Sequence, residues 1–97
     1  MYSTHALQDL WDIGYYIKWN IRNASAAEHI VNEIYKKIDS LKTFPERFPE
    51  IAIQGHIFRR ANVKHYAVIY SVINEFKLIS IERVLYSARD ITTVQIG

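Results

Sequence analysis

The first half of the chain carries apolar residues at helical spacing. They recur every three or four residues at Ala6, Leu10, Ile13 and Ile17. This spacing lays one apolar stripe along a helix. Ser3 and Thr4 precede the stripe, and either side chain can cap a helix by accepting an N–H from its first turn. The pattern predicts a first helix over Ala6–Asn20.

A second helical stripe follows. Its apolar positions are Ala27, Ile30 or Val31, Ile34, Ile38 and Leu41, with charged residues between them. The segment from Ser25 to Glu28 has the order of a capping box, in which serine and glutamate each satisfy an N–H of the first turn. Pro45 disfavours helical backbone in the residue before it. We therefore predict a second helix over Ser25–Thr43, antiparallel to the first.

The second half of the chain changes to strand-like patterning. Three runs rich in Val, Ile and Tyr cover His56–Asn62, Tyr66–Ile73 and Lys77–Tyr86. β-Branched and aromatic residues favour a pleated, half-buried surface. Short polar segments, Val63-Lys64-His65 and Asn74-Glu75, separate the runs and predict turns. The runs therefore predict an antiparallel meander of about three strands.

A meander of this kind needs a cover for one of its faces, because an isolated small sheet is marginally stable. The two helices provide it, and the order of helices before strands indicates an α+β fold with a helix hairpin packed on the sheet. Phe44 and Phe48, in the connector between the two halves, are expected to fold back onto the core.

Length and composition narrow the class of protein. The 97 residues are 49% apolar and 23% charged, which predicts a single globular domain over residues 1–97. The sequence has no cysteine, and no apolar run is long enough to span a membrane, so we expect a cytoplasmic protein. The four histidines have no metal-ligand spacing, and no glycine-rich phosphate loop is present. We therefore expect neither a metal nor a cofactor.

Charge is distributed unevenly. Residues 1–50 carry six basic and seven acidic side chains, net −1, whereas residues 51–97 carry six basic and three acidic side chains, net +3. The candidate binding residues lie in the basic half: Arg59, Arg60, Lys64, Arg83, Tyr86 and Arg89, with His65, Tyr66 and Tyr70 nearby. Arginine binds phosphate bidentately and tyrosine stacks on bases, so the set suits an anionic partner. The alternative is that these side chains only pack or pair within the fold.

Two segments of the chain resemble a known family. They are HYAVIYSV, from His65, and IERVLYSARD, from Ile81. Both are similar to strands of the RelE/ParE superfamily, the toxins of bacterial type II toxin–antitoxin systems. The second resembles the ParE-type strand R-V-L-H/Y-G-x-R-D, with Ser87 in place of the glycine. The helical stripes and the Phe44-Pro45 connector resemble the first two helices of that family and the segment after them.

The resemblance carries implications for fold and function. The family usually opens with a strand, but only Met1 and Tyr2 precede the first cap here, so a first strand would be short or missing. The ribonuclease branch generally has an arginine where this chain has Ala67, which favours the ParE-like branch. The resemblance then implies a toxin that inhibits growth by binding DNA gyrase and that a cognate antitoxin neutralises.

Two alternatives stay open at this point. One is a RelE-like mRNA interferase that cleaves mRNA on the ribosome with the basic set named above, so whether the chain is an enzyme is not decided. The other is a degenerate member that binds antitoxin without being toxic. Both toxic interpretations imply exposed apolar surface on the helix hairpin or sheet, which an antitoxin segment would cover by folding as it binds.

Overall fold

Two helices and a four-stranded antiparallel sheet form the fold in the computed structural model, which describes residues 1–73 and 75–96. The helical elements are α1 (Thr4–Tyr15), which continues as a π-helical turn (Tyr16–Asn20), α2 (Ala24–Ser40) and a 3₁₀ turn (Ile91–Thr93). The strands are β1 (Glu50–Ile53), β2 (His56–Val63), β3 (Tyr66–Ile73) and β4 (Leu78–Tyr86). The sheet order is β1-β2-β3-β4. The predicted α+β fold with a helix hairpin on a sheet is confirmed.

The helices begin and end on side-chain caps. The Ser3 hydroxyl accepts the N–H of Ala6 at 3.0 Å, so Ser3 is the cap of the two candidates that the sequence offered. In α2 the cap is Asn23, whose side chain accepts the N–H of Ala26 at 2.9 Å, so the capping box predicted at Ser25 is wrong. The helix ends at Ser40, earlier than predicted, where Arg47 donates to the Ser40 carbonyl and so satisfies a group that the helix end leaves unpaired.

The sheet contains the three predicted strands and a short fourth, β1, which precedes them. A two-residue turn, Gln54-Gly55, joins β1 to β2 with φ angles of 51° and 81°. Glycine adopts this left-handed conformation without steric penalty, and two such residues in a row match the twist of a tight hairpin. The β2–β3 turn is confined to Lys64 and His65. Asn74, in the predicted β3–β4 turn, lies outside the described residues.

The helices cover one face of the sheet, here called the helix face. The buried residues of this main core include Leu10, Ile13, Ile34, Ile38, Val68, Tyr70, Ile81 and Val84. Phe48 packs against this core as expected, but Phe44 is 77% exposed with a φ of 52°. The expectation that both phenylalanines fold back is therefore wrong for Phe44.

The chain after β4 covers the second face of the sheet. This segment, residues 91–96, is here called the tail. Ile91 and Val94 of the tail pack with Ile53, Phe58 and Leu85 in a smaller buried cluster. The helix hairpin and the tail thus protect opposite faces of one sheet.

The N-terminus adds the start of a fifth strand. Tyr2 forms a single parallel bridge with Ile81, and the N–H of Ser3 donates to the Ile81 carbonyl at 2.9 Å. The first strand, which was expected to be short or missing, is thus reduced to a single bridge. Among the described helices, none combines the length and apolar character that crossing a bilayer requires.

Candidate target-binding site

Arg59 braces the connector between the helices and the sheet. Its guanidinium donates to the carbonyls of Glu46 and Phe48 at 2.9 and 2.6 Å, and it lies 3.8 Å from the Glu50 carboxylate. Its side chain is only 20% exposed. The groups that would bind a phosphate are thus occupied by the chain itself.

Arg83 is held by Asp9 of α1. Its Nε and Nη2 donate to the two oxygens of that carboxylate at 2.7 and 2.9 Å, and both side chains are only 11% exposed. The hydrogen bonds from Arg83 to Asp9 raise the pKa of the guanidinium. Its Nη1 donates to the carbonyl of Gln95, at 2.8 Å. Arg83 therefore joins α1, β4 and the tail.

Arg60 lies half-buried on the tail side of the sheet. Its Nε donates to the Asn62 side chain at 3.0 Å and its Nη2 to the Ser87 carbonyl at 3.2 Å. This second bond connects β2 to the chain just past β4, across β3. Of the six candidates named from the sequence, three are thus bound within the fold.

The remaining three candidates meet at one end of the sheet. Lys64 lies in the β2–β3 turn, and a bond of 2.7 Å from the N–H of Ser87 to the His65 carbonyl brings the chain after β4 beside that turn. Arg89 follows in a tight turn closed on the Tyr86 carbonyl. Lys64, His65, Tyr66, Tyr86 and Arg89 form what we call the sheet-end surface.

Two tyrosines give this surface an aromatic centre. The rings of Tyr66 and Tyr86 meet edge to face, 6.0 Å between centroids, and Tyr86 is 55% exposed. Burial raises the pKa of the Tyr66 hydroxyl, and the neighbouring Tyr16 and Tyr86 raise it further. The Tyr66 hydroxyl therefore stays neutral at neutral pH, and both rings present a π surface.

The cations of the sheet-end surface have no acidic partner among the described residues. Glu82 accepts a hydrogen bond from Ser71, and Asp90 accepts from Thr92, which lowers the pKa of Asp90. Exposed cations beside tyrosines can attract and hold an anionic surface.

Comparison with known protein families identifies the family of the chain. The family described as the ParE toxin of the type II toxin–antitoxin system, parDE, matches residues 1–91. The chain belongs to this family. No curated protein matches the chain. Membership confirms the RelE/ParE resemblance and implies an antitoxin partner.

Because membership in the ParE family implies a protein partner, a second surface is of interest. The sequence reasoning did not predict this surface. Leu7, Trp11, Tyr15 and Trp19 follow one another at intervals of four residues. All four are more than half exposed, on the side of α1 and its π-helical turn away from the sheet. An i, i+4 stripe of large apolar residues beside the core stripe is the signal that could have revealed this surface.

This stripe forms one wall of a groove between the two helices. The groove has a volume of about 750 Å³. The groove is also lined by Leu10 and Gly14 of α1 and by Ala24, Ala27, Val31 and Tyr35 of α2. Lys18 lies over the ring of Trp19, 5.2 Å from its centroid. We call this surface the aromatic groove, and it confirms the expectation that the helix hairpin leaves apolar surface exposed.

Proposed function

We propose that the chain inhibits growth by binding DNA gyrase through the sheet-end surface, without cleaving RNA. The observation that carries the proposal is that the fold itself holds three of the six candidate residues. Arg59, Arg60 and Arg83 are bound to carbonyls and side chains of the fold itself. A ribonuclease must bring several preorganised groups to one phosphate, whereas a binding surface needs only complementary shape and charge.

Growth and enzyme assays test the proposal. Inducible expression without antitoxin should stop growth, and the purified protein should inhibit DNA supercoiling by gyrase while leaving ribosome-bound mRNA intact. Cleavage of that mRNA would assign the chain to the RelE-like alternative. Unimpaired growth would support the degenerate member.

Substitution locates the target surface. Lys64→Ala combined with Arg89→Ala removes both exposed cations, and gyrase inhibition should weaken about tenfold or more, since close charge pairs contribute kilocalories to association. The matched control is Lys36→Ala combined with Lys42→Ala, which also removes two exposed cations. Equal loss in both proteins would mean that net charge, and not this surface, is responsible.

We further propose that the antitoxin neutralises the toxin by placing an amphipathic helix in the aromatic groove. Three observations support a helix as the occupant. The groove runs between two helices, small residues such as Gly14 and Ala27 are among its lining, and Trp11 and Trp19 are 68% and 56% exposed. Helix-in-groove recognition uses such aromatic walls, with partner side chains spaced three or four residues apart as anchors.

Gly14 offers a matched pair of variants for this groove. A Cβ atom at position 14 would lie 3.6 Å from the Val31 side chain, which is an ordinary contact. Gly14→Ala should therefore fold well, stabilise α1 by up to about 1 kcal/mol and bind antitoxin normally. Gly14→Leu should fill the groove and weaken antitoxin binding about tenfold or more, as displacement of a buried anchor does. Normal binding by the leucine variant would refute the groove as the antitoxin site.

A further inference from the structure

Two opposite charges lie on the two walls of the aromatic groove, at the same end. Lys18 belongs to the π-helical turn that follows α1, and Glu28 belongs to the second turn of α2. Because a helix rises about 1.5 Å per residue, both lie within about 8 Å of the connection between the helices, measured along the helix axis. Of the described residues that line the groove, only these two are charged.

Neither charge is neutralised within the described chain. Lys18 lies over the ring of Trp19, 5.2 Å from its centroid, and both Lys18 and Glu28 are exposed. The ion pairs of residues 1–73 and 75–96 include neither of them. A protein that covers the groove therefore meets one cation on the α1 wall and one anion on the α2 wall, and complementary charges on that protein would fix its orientation.

A second copy of the chain supplies these complementary charges by symmetry. Rotation by 180° about an axis along the groove places α1 of each copy on α2 of the other and keeps both helix connections at the same end. Lys18 of each copy then lies beside Glu28 of the other. All neighbouring helices in this arrangement are antiparallel, as in a four-helix bundle with two-fold symmetry.

The shapes of the two walls suit the same rotation. The α1 wall carries large side chains such as Trp11 and Tyr15, whereas the α2 wall near the connection carries the small residues Ala24 and Ala27. The two-fold axis lays the large wall of each copy on the small wall of the other, so that rings fill hollows.

The uncovered surface is also large enough for a dimer. An aromatic side chain has an area of about 200 Å², and the stripe on α1 is more than half exposed. Together with Tyr35, the stripes of two copies can bury about 1,000 Å², which is the size at which specific interfaces begin.

We propose that, in the absence of antitoxin, two copies of this chain pair through the aromatic groove, with Lys18 of each copy beside Glu28 of the other. The inference goes beyond the proposed function and does not depend on the antitoxin helix. The second copy and that helix compete for one surface, so dimerisation protects the apolar groove of the free toxin. The helices lie between the two sheets in this dimer, and both sheet-end surfaces stay open.

Charge reversal tests the pairing. Lys18→Glu places two carboxylates at each contact and Glu28→Lys places two ammonium groups there, so each variant should dimerise about tenfold more weakly than the wild type, or worse. The doubly substituted Lys18→Glu/Glu28→Lys chain restores opposite charges and should dimerise within about threefold of the wild type. Sedimentation equilibrium measures the association, and thermal unfolding checks that each variant folds.

Lys36→Glu is the matched control for net charge. It changes the charge of the chain by the same amount as Lys18→Glu, but Lys36 is exposed beside Glu33 and does not line the groove. This variant should dimerise as the wild type does. A loss equal to that of Lys18→Glu would mean that overall charge, and not this contact, controls association, and would overturn the proposal.

Mixing the two single variants gives the sharpest test. In a mixed dimer every contact joins a glutamate to a lysine, so an equimolar mixture should associate nearly as tightly as the wild type although neither variant does so alone. Failure of the mixture to associate overturns the two-fold arrangement. A wild type that stays monomeric up to about 0.1 mM overturns the dimer itself.

The protein encoded by the reading frame next to the toxin gene separates this inference from the antitoxin helix. Added to the wild-type dimer, it should release monomers as it binds. If it binds while the dimer persists, the helix proposed for the groove is wrong and the dimer stands. If the wild type is monomeric and binds that protein, the dimer is wrong and the helix stands.

Discussion

Asp9 is the residue on which the attachment of α1 to the sheet depends. Its carboxylate accepts two hydrogen bonds from Arg83 and one from the N–H of Val84. Both members of the pair are nearly buried, so the loss of one leaves the other charge without compensation. The interaction acts between two elements that are 74 residues apart in the sequence.

Asp9→Asn should accordingly lower the free energy of unfolding by about 1–3 kcal/mol. A double-mutant cycle with Arg83→Gln should give a coupling energy of about 1 kcal/mol or more by urea denaturation. Gln8→Ala is the control, because the Gln8 amide donates to the exposed Asp12 side chain, and it should change stability by less than about 0.5 kcal/mol. Additive effects of Asp9→Asn and Arg83→Gln would contradict this account.

Tyr70 gives a pH-dependent prediction. Its ring is fully buried in the main core, and its hydroxyl donates to the Pro45 carbonyl at 2.6 Å. Burial raises the pKa of this hydroxyl above the ordinary 10.0, an effect partly opposed by Arg59 and Arg47. The unfolded chain therefore loses this proton first, so the stabilisation is complete below pH 10 and is lost as the pH rises through the folded pKa.

Tyr70→Phe should cost about 1–2 kcal/mol at pH 7, because the Pro45 carbonyl loses its donor in a buried place. The variant should also lose less stability than the wild type between about pH 9 and pH 11, since one titrating group is absent. Tyr66, whose pKa is also raised, contributes to the loss of stability at alkaline pH in both proteins. Denaturation at both pH values measures the difference. Parallel losses in the two proteins would show that Tyr70 does not contribute.

At the scale of the element, the question is which residue caps the start of α2. Asn23 has an extended backbone, with φ of −135°, and its side chain bonds the N–H of Ala26. Ser25 lies inside the first turn. Both residues have capping chemistry, so local sequence alone does not choose between them.

Asn23→Ala should destabilise the protein by about 1 kcal/mol, as the loss of an N-cap does. Ser25→Ala should change stability by less than about 0.5 kcal/mol. Thermal unfolding compares the stability of the two variants, whose substituted positions are two residues apart at the start of the same helix. The reverse order of effects would restore the capping box as the true start of α2.

The π-helical turn lets α1 contribute to two surfaces at once. Ile17 of this turn is buried in the core, while Trp19 extends the wall of the aromatic groove. Tyr16 lies close enough to Tyr66 to affect the pKa of its hydroxyl. A regular helix shifts successive side chains by a fixed angle, and the extra residue of a π turn changes that register. The aromatic groove and the sheet-end surface therefore meet at the end of this helix.

At the scale of the whole molecule, large apolar side chains remain uncovered. Leu7, Trp11, Tyr15 and Trp19 are more than half exposed in the aromatic groove, and Ile57 is exposed at the opposite corner. Contiguous apolar patches of this kind usually mark interaction sites. The isolated toxin should consequently gain stability from its antitoxin through mass action.

We expect the midpoint of thermal unfolding to rise with antitoxin concentration. At a concentration one hundred times the dissociation constant, the free energy of unfolding should increase by about 2.7 kcal/mol. The Gly14→Leu variant, with its groove filled, should show a smaller rise at the same concentration. A toxin as stable alone as with its partner, at concentrations that saturate binding, would contradict the exposed groove as a binding surface.

Local pattern alone determined most of the elements of this protein. Helical spacing gave both helices, alternating β-branched residues gave β2, β3 and β4, and the ParE-type motif gave the family, because each of these depends on residues close together in the sequence. Strand β1 has only four residues, too few to show a period. The tail likewise has no regular pattern from which its position on the second face of the sheet could be predicted.

The tertiary structure decided which basic residues are available. An arginine looks the same in sequence whether its guanidinium faces solvent or, like Arg83, binds a carboxylate from the other end of the chain. Only the strand register brings Lys64 beside Tyr86 and Arg89, and only the packing of α1 on β4 carries Asp9 to Arg83. Long-range pairing is fixed by the burial of the whole core, and for that reason no single segment of the sequence contains it.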